Sequence, residues 1–169
     1  MKINAFSDVS LRALMVLAAA PDATLLTTQS IADAVATPYN HVSKAMARLR
    51  SLGLIEVERG RTGGARLSPA GRRVTVGQVL RELDTRSDAA ECVAPGGDCP
   101  LINECKLRAA LARAREAFYR ELDTVVVADL PGTTQMAPVF QMIGLRPGLQ
   151  PGIAPPDPGT NVDMIYSRV

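Results

Sequence analysis

Tryptophan is absent from this chain, and phenylalanine and tyrosine number three each, so a core must be packed from aliphatic side chains and methionine. No apolar run reaches the about 18 residues that would cross a membrane, and no secretory leader is evident. A compact soluble protein of the reducing cytoplasm is therefore expected, with room in 169 residues for one good core and an accessory segment. Net charge is only +2, which by itself says nothing about nucleic acid. The sequence supplies no catalytic base and little room for a substrate pocket, so an enzyme is not expected.

What is present in one place is cysteine. The three cysteines, Cys92, Cys99 and Cys105, all fall within CVAPGGDCPLINEC, a stretch of Gly, Pro and acidic residues. Small apolar packing, or one disulfide with a thiol to spare, would account for them. An odd count in a reducing compartment favours ligands instead, for a soft cation or an iron–sulfur cluster. Gaps of six and then five residues fit neither a zinc knuckle nor a ferredoxin run.

Charge is distributed unevenly. Between His41 and Arg73 stand Lys44, Arg48, Arg50, Arg59, Arg61, Arg66, Arg72 and Arg73 against only Glu56 and Glu58. Ahead of this segment, residues 6–20 form a helix stopped by Pro21, and Thr28 caps a short helix running through Val35. A tight break at Ala36 and Thr37 leads to Pro38, suited to the first position of a new helix with Thr37 as its cap. That helix, over residues 38–51, places Val42, Ala45, Met46 and Leu49 on one face and Tyr39, Asn40, His41, Ser43, Lys44 and Arg48 on the other. The polar set can reach phosphates or base edges in a major groove, and Thr28, Gln29 and Ser30 join it from the preceding helix. A solvated surface face is the commoner meaning of such a pattern.

The next residues tip the balance. Residues 54–59 alternate as a strand, 60–64 supply a turn and 65–68 return, giving a winged helix-turn-helix. Arg59, Arg61 and Arg66 around Gly63 and Gly64 then sit at the wing, where glycine permits close approach to DNA and arginine suits a narrow minor groove. A nucleotide-binding glycine loop is excluded, because RGRTGGARLS lacks the spaced glycines, the lysine and the following helix. His41, the only histidine, reads as DNA-facing or exposed rather than as a metal ligand.

Beyond the wing, residues 75–84 read as a short helix, and a long helix runs from about Leu101 to the mid-120s with Leu107, Leu111, Ala114, Phe118, Leu122 and Val125 in a stripe. It can pack on its own domain, or pair in a homodimer that lets two winged modules read two half-sites of a double-stranded operator. From Pro131 onward prolines and glycines interleave, a composition expected to give an extended tail without helix. The fold class is thus mainly α. Its expected parts are a DNA-binding domain (1–86), a cysteine-bearing loop (87–106), a dimerisation helix (107–130) and a flexible Pro/Gly-rich tail (131–169).

With these motifs in place, the chain resembles the family of iron–sulfur winged-helix repressors that includes NsrR and IscR. FSDVSLRALM resembles the family's opening helix, VATPYNHVSKAMARLRSLGLIEVERGRTGGARLS its recognition helix and wing, and CVAPGGDCPLINEC its cluster loop. The resemblance covers residues 1 to about 130. IscR-like members carry a histidine three residues after the last cysteine, where this chain has Arg108, whereas the nitric-oxide-sensing NsrR-type branch has an aspartate in the first helix, here Asp8. What this implies is a 4Fe–4S cluster on Cys92, Cys99 and Cys105 with Asp8 of the partner subunit as fourth ligand. The same resemblance implies nitric oxide as the signal and Arg12 as the residue orienting that site. An i,i+4 ion pair of Asp8 with Arg12 is the alternative role for the aspartate, and both can coexist. The first cysteine gap is longer than usual in that branch, which leaves 2Fe–2S open, and a structural zinc on the same thiols is the remaining rival.

Overall fold

The computed structural model describes residues 3–84 and 104–145. Within them the order is α1 (Ala5–Ala19), α2 (Thr28–Ala34), α3 (Tyr39–Ser51), β1 (Ile55–Glu58), β2 (Gly64–Leu67), α4 (Val76–Leu83), α5 (Lys106–Leu122), a 3-10 turn (Val127–Asp129) and α6 (Thr133–Met142). The mainly helical class with one small antiparallel hairpin is as expected. The stretch carrying Cys92 and Cys99, and the tail beyond residue 145, lie outside the described residues.

Helix α1 is the hub. Its Ala, Leu and Met content favours helix, and Asn4 caps it by accepting the N–H of Ser7 at 2.7 Å. Ala20, preceding Pro21, is extended at φ −69° and ψ 145°, the conformation proline imposes on its neighbour. Ala13, Leu14, Val16 and Leu17 are buried, and α1 packs against α3, α4, β2 and the 3-10 turn. Aliphatic side chains do form most of the core, with Tyr119 and Phe140 its only buried aromatics among the described residues.

The helix-turn-helix forms with small shifts from expectation. Thr27, not Thr28, caps α2, its Oγ1 accepting the N–H of Ser30 at 3.0 Å. Ala36 takes φ +48°, making the break, a left-handed conformation that costs a non-glycine residue about 1 kcal/mol. Pro38 is the cap of α3 without a side-chain bond, and Thr37 Oγ1 instead donates to the carbonyl of Val35 at 3.1 Å. The hydroxyl is drawn back to the turn it closes, so it is unavailable to α3.

In the wing, Ile55 pairs with Leu67, Glu56 with Arg66, Val57 with Ala65 and Glu58 with Gly64. Leu26 adds a bridge to Ala65 on the hairpin's other side, with N–H to carbonyl distances of 3.0 and 2.8 Å. This fixes the glycines for a reason different from the one expected. A Cβ on Gly63 would strike the carbonyl of Glu58, and one on Gly64 would strike the backbone of Leu26. They serve close approach within the protein.

Two expectations about the second half are overturned. Glu104 has φ +55° and Cys105 is extended, so the long helix starts at Lys106 rather than near Leu101. Residues 133–142 are helical although Pro138 lies inside them. The cost of an interior proline, about 3 kcal/mol, is matched by docking Met136 and Phe140, buried one turn apart and worth about 1.5–3 kcal/mol each. Composition concealed a helical spacing.

Candidate nucleic-acid interface and ligand residues

Burial decides which side of α3 is available. Val42, Ala45 and Leu49 are fully buried and Met46 nearly so, which turns Tyr39, Asn40, His41, Lys44 and Arg48 to solvent with Ser43 half-buried at the edge. Tyr39 is 49% exposed, unusual for an aromatic and consistent with a contact surface. In the first turn of α2, Gln29 is exposed, while Thr28 and Ser30 are half-buried. Gln29 donates to Asp33 at 2.8 Å and Ser30 shares a hydroxyl bond with Thr27 at 2.9 Å, so both groups are held in fixed positions.

The basic residues divide into two kinds. Lys44, Arg59 and Arg61 are exposed and stand in no ion pair among the described residues. Arg66 is different: its Nε donates to Glu56 at 3.0 Å and its Nη1 to Glu58 at 2.7 Å. The bond to Glu56, then the charge of Glu58, hold its guanidinium still more firmly protonated than usual. Arg48 is also engaged, its Nη2 donating to the carbonyl of Glu82 at 3.1 Å. Sequence reasoning missed both engagements, although Glu56 and Glu58 alternate with Arg66 across a recognisable hairpin and could have been paired from it.

The described ligand candidates are Cys105 and Asp8. Cys105 is a free, half-exposed thiol that caps α5, and its Sγ accepts the N–H of Arg108 at 3.5 Å. A sulfur at a helix N-terminus, already taking one N–H, suits a negatively charged metal-bound thiolate. Asp8 lies in the first turn of α1, its side chain 45% exposed, with Oδ2 at 2.7 Å from Nη2 of Arg12 and Oδ1 accepting from Nε at 3.2 Å. The expected i,i+4 pair is therefore formed, and it leaves the carboxylate accessible. Both donors fit a ligand role, one soft and one hard. Among the described residues no group of three or more His, Cys, Asp or Glu side chains could hold a metal by itself, as is expected when two of the thiols lie elsewhere.

One cluster was not anticipated. Arg81 on α4 bridges Asp123 and Glu116 at the end of α5, and Tyr119 donates to Asp84 beside it. The Arg81 hydrogen bond holds the Asp123 carboxyl below its ordinary range, and burial followed by the bond to Asp84 pushes the Tyr119 phenol up to about 12. Tyr119 is thus a donor at any working pH. No helix among the described residues is long and apolar enough to cross a membrane.

Comparison with known proteins places this geometry. Residues 3–132 match the model of a family described as Rrf2, iron-dependent transcriptional regulator. The chain is 45% identical over 133 residues to the HTH-type transcriptional repressor NsrR of Streptomyces coelicolor, covering 77% of this chain and 88% of that one. It is 37% identical over 131 residues to the HTH-type transcriptional regulator NsrR of Geobacillus kaustophilus, covering 77% and 89%. The fold is similar to that of IscR from T. potens, with a TM-score of 0.59, 21% identity and coverage of 77% and 85%. It is equally similar to that of CymR, the global cysteine regulator of B. subtilis, with a TM-score of 0.59, 23% identity and coverage of 77% and 95%. Helix α6 begins where the family match ends.

Proposed function

We propose, on the premise that the chain belongs to the Rrf2 family of iron-dependent transcriptional regulators, that it is a homodimeric repressor whose hold on its operator depends on an iron–sulfur cluster and is released by nitric oxide. That it is a transcriptional regulator follows from membership. The cluster, the signal, the dimer and the residue roles are our reading.

The observation that carries it is the position of Cys105. The last thiol of the triplet stands half-exposed at the first turn of α5, the helix whose apolar stripe is left uncovered. Cys92, Cys99 and Cys105 hold the cluster, and Asp8 of the partner subunit completes it, oriented by Arg12. When bound, the group supplies an iron atom with one carboxylate ligand, weaker than thiolate and so open to a small diatomic molecule. A 4Fe–4S cluster suits four ligands, and 2Fe–2S is the alternative. The protein's own part is to join sensor and reader. Exposed leucines on α5 meet their counterparts across a two-fold axis, and the two α3 helices then address successive major grooves. Lys44, Arg59 and Arg61 contact phosphates, while Tyr39, Asn40, His41 and Ser43 face base edges, with Thr28, Gln29 and Ser30 fixing the register of the backbone.

Purification under strict exclusion of air, with iron, sulfide and zinc analysis and a visible spectrum, tests this. Coloured protein that bleaches with nitric oxide while its DNA complex dissociates is expected. Colourless protein with stoichiometric zinc sinks the cluster reading and leaves a DNA-binding protein with a structural metal. Asp8→Ala should stay dimeric with altered cluster stability, and an unchanged nitric oxide response would reduce Asp8 to a surface residue.

A further inference from the structure

Between α4 and α5 lies a set of contacts that neither DNA binding nor metal ligation uses. Arg81, in the last turn of α4, donates through Nη1 to both carboxylate oxygens of Asp123 at 2.7 and 2.8 Å and through Nη2 to Glu116 at 3.0 Å. Its guanidinium carbon lies 5.0 Å from the centre of the Tyr119 ring, and the Tyr119 hydroxyl donates to Asp84, the residue that caps α4. One turn earlier on α4 is Gly77, where a Cβ would collide with the Asp123 carboxylate and the Tyr119 carbonyl. The two helices are therefore in close contact, not merely adjacent.

The rest of α5 gives this contact its meaning. Of that helix only Tyr119 is buried, and Leu107 near its start is 68% exposed. The thiol of Cys105 thus sits at the far end of an arm about 20 Å long, at 1.5 Å of rise per residue, that is gripped near its base. On the opposite side, α4 meets the recognition helix: the carbonyl of Glu82, next to Arg81, accepts from Arg48 Nη2 at 3.1 Å. Isolated exposed ion pairs hold little, but a bidentate guanidinium backed by an aromatic ring and by a glycine contact has one preferred geometry. A displaced arm must break it or carry α4 along.

We propose that Arg81 is a positioning residue which clasps α5 to α4, so that movement of the Cys105 end of the arm is passed through Glu82 and Arg48 to the recognition helix. The signal it would transmit rests on the cluster reading above, while the mechanical coupling does not.

The test compares full-length wild type, Arg81→Gln and Tyr119→Phe, each loaded with iron and sulfide under exclusion of air and each metal-free. Iron per chain, DNA affinity in both forms and amide hydrogen exchange over residues 39–51 are measured. Iron content should stay at the wild-type level, while the ratio of loaded to metal-free DNA affinity falls about tenfold in Arg81→Gln and about threefold in Tyr119→Phe. Exchange in residues 39–51 should rise in both metal-free variants. Tyr119→Phe keeps the ring in the core, so it reports even if Arg81→Gln fails to fold. An unchanged affinity ratio, or faster exchange confined to α4 and α5, overturns the proposal. Should wild type take up no iron, the cluster reading fails, and exchange in residues 39–51 still decides the clasp.

Discussion

Helices α3 and α5 bear apolar stripes of the same period, but only one of them is covered. On α3, Val42, Ala45 and Leu49 are fully buried against the chain's own α1 and its neighbours. On α5, Leu107 and Leu111 are 68% and 36% exposed, and the helix joins the core only near its end, through Phe118, Tyr119 and Leu122. A stripe therefore says that a helix needs a partner and leaves open where the partner is. For α3 the partner is within the chain, which leaves its polar side free to address DNA. For the start of α5 no described part of the chain supplies one. Burying a leucine is worth about 1.5–3 kcal/mol, which is the incentive for a second copy to do so.

The sharpest way to separate the two helices is to damage each stripe. Leu49→Ala should lower unfolding free energy by about 2–5 kcal/mol, the cost of a core cavity, at every protein concentration. Denaturant unfolding would show it, and a loss below 1 kcal/mol would mean that the α3 stripe is not core. Leu107→Glu should leave each protomer folded but raise the dimer dissociation constant at least about tenfold, one charge set in an apolar contact being worth more than the 1.4 kcal/mol required. Sedimentation indistinguishable from wild type would remove α5 from the interface.

The same contrast explains how far the sequence could be read. Local signals were sufficient wherever a segment's partner is its neighbour: Pro21 ends α1, the alternation around Val57 gives the hairpin, and Thr75 with Gln78 forms the capping box of α4. They failed where a distant contact decides. Helix α6 contradicts its proline content because Met136 and Phe140 find the core, and α5 starts late because Glu104 and Cys105 leave helical geometry ahead of it. The ligand candidates were legible from chemistry alone, since Asp8 and the cysteines are conspicuous by type. The clasp was not. Arg81, Glu116 and Asp123 are ordinary surface charges in the sequence, and only the packing of α4 on α5 brings them together.

On the DNA side the comparison narrows to arginines that are committed and arginines that are not. Arg61→Gln should reduce the slope of log affinity against log salt by about 0.9, the value of one phosphate contact. Glu58→Gln should do the reverse, strengthening binding about two- to threefold by releasing Arg66 and removing a negative charge from the wing. Weaker binding by Glu58→Gln would mean that Arg66 acts only when held by its carboxylates, as a rigid wing rather than as a cation.

The smallest effect is expected at the base of α5, where a single carboxyl reports on the clasp through pH. Asp123 is held below its ordinary range by the hydrogen bond from Arg81, so its value in the folded state lies beneath that in the unfolded chain. Such a group contributes stability above its unfolded value, and the contribution is lost as pH falls through that value toward the folded one. The melting temperature of wild type should therefore drop more steeply below about pH 4 than that of Asp123→Asn, with the two curves offset at neutral pH. Curves that stay parallel through the acid range would show the pair contributing equally in both states, and α5 would then be held by Tyr119 and its apolar neighbours alone.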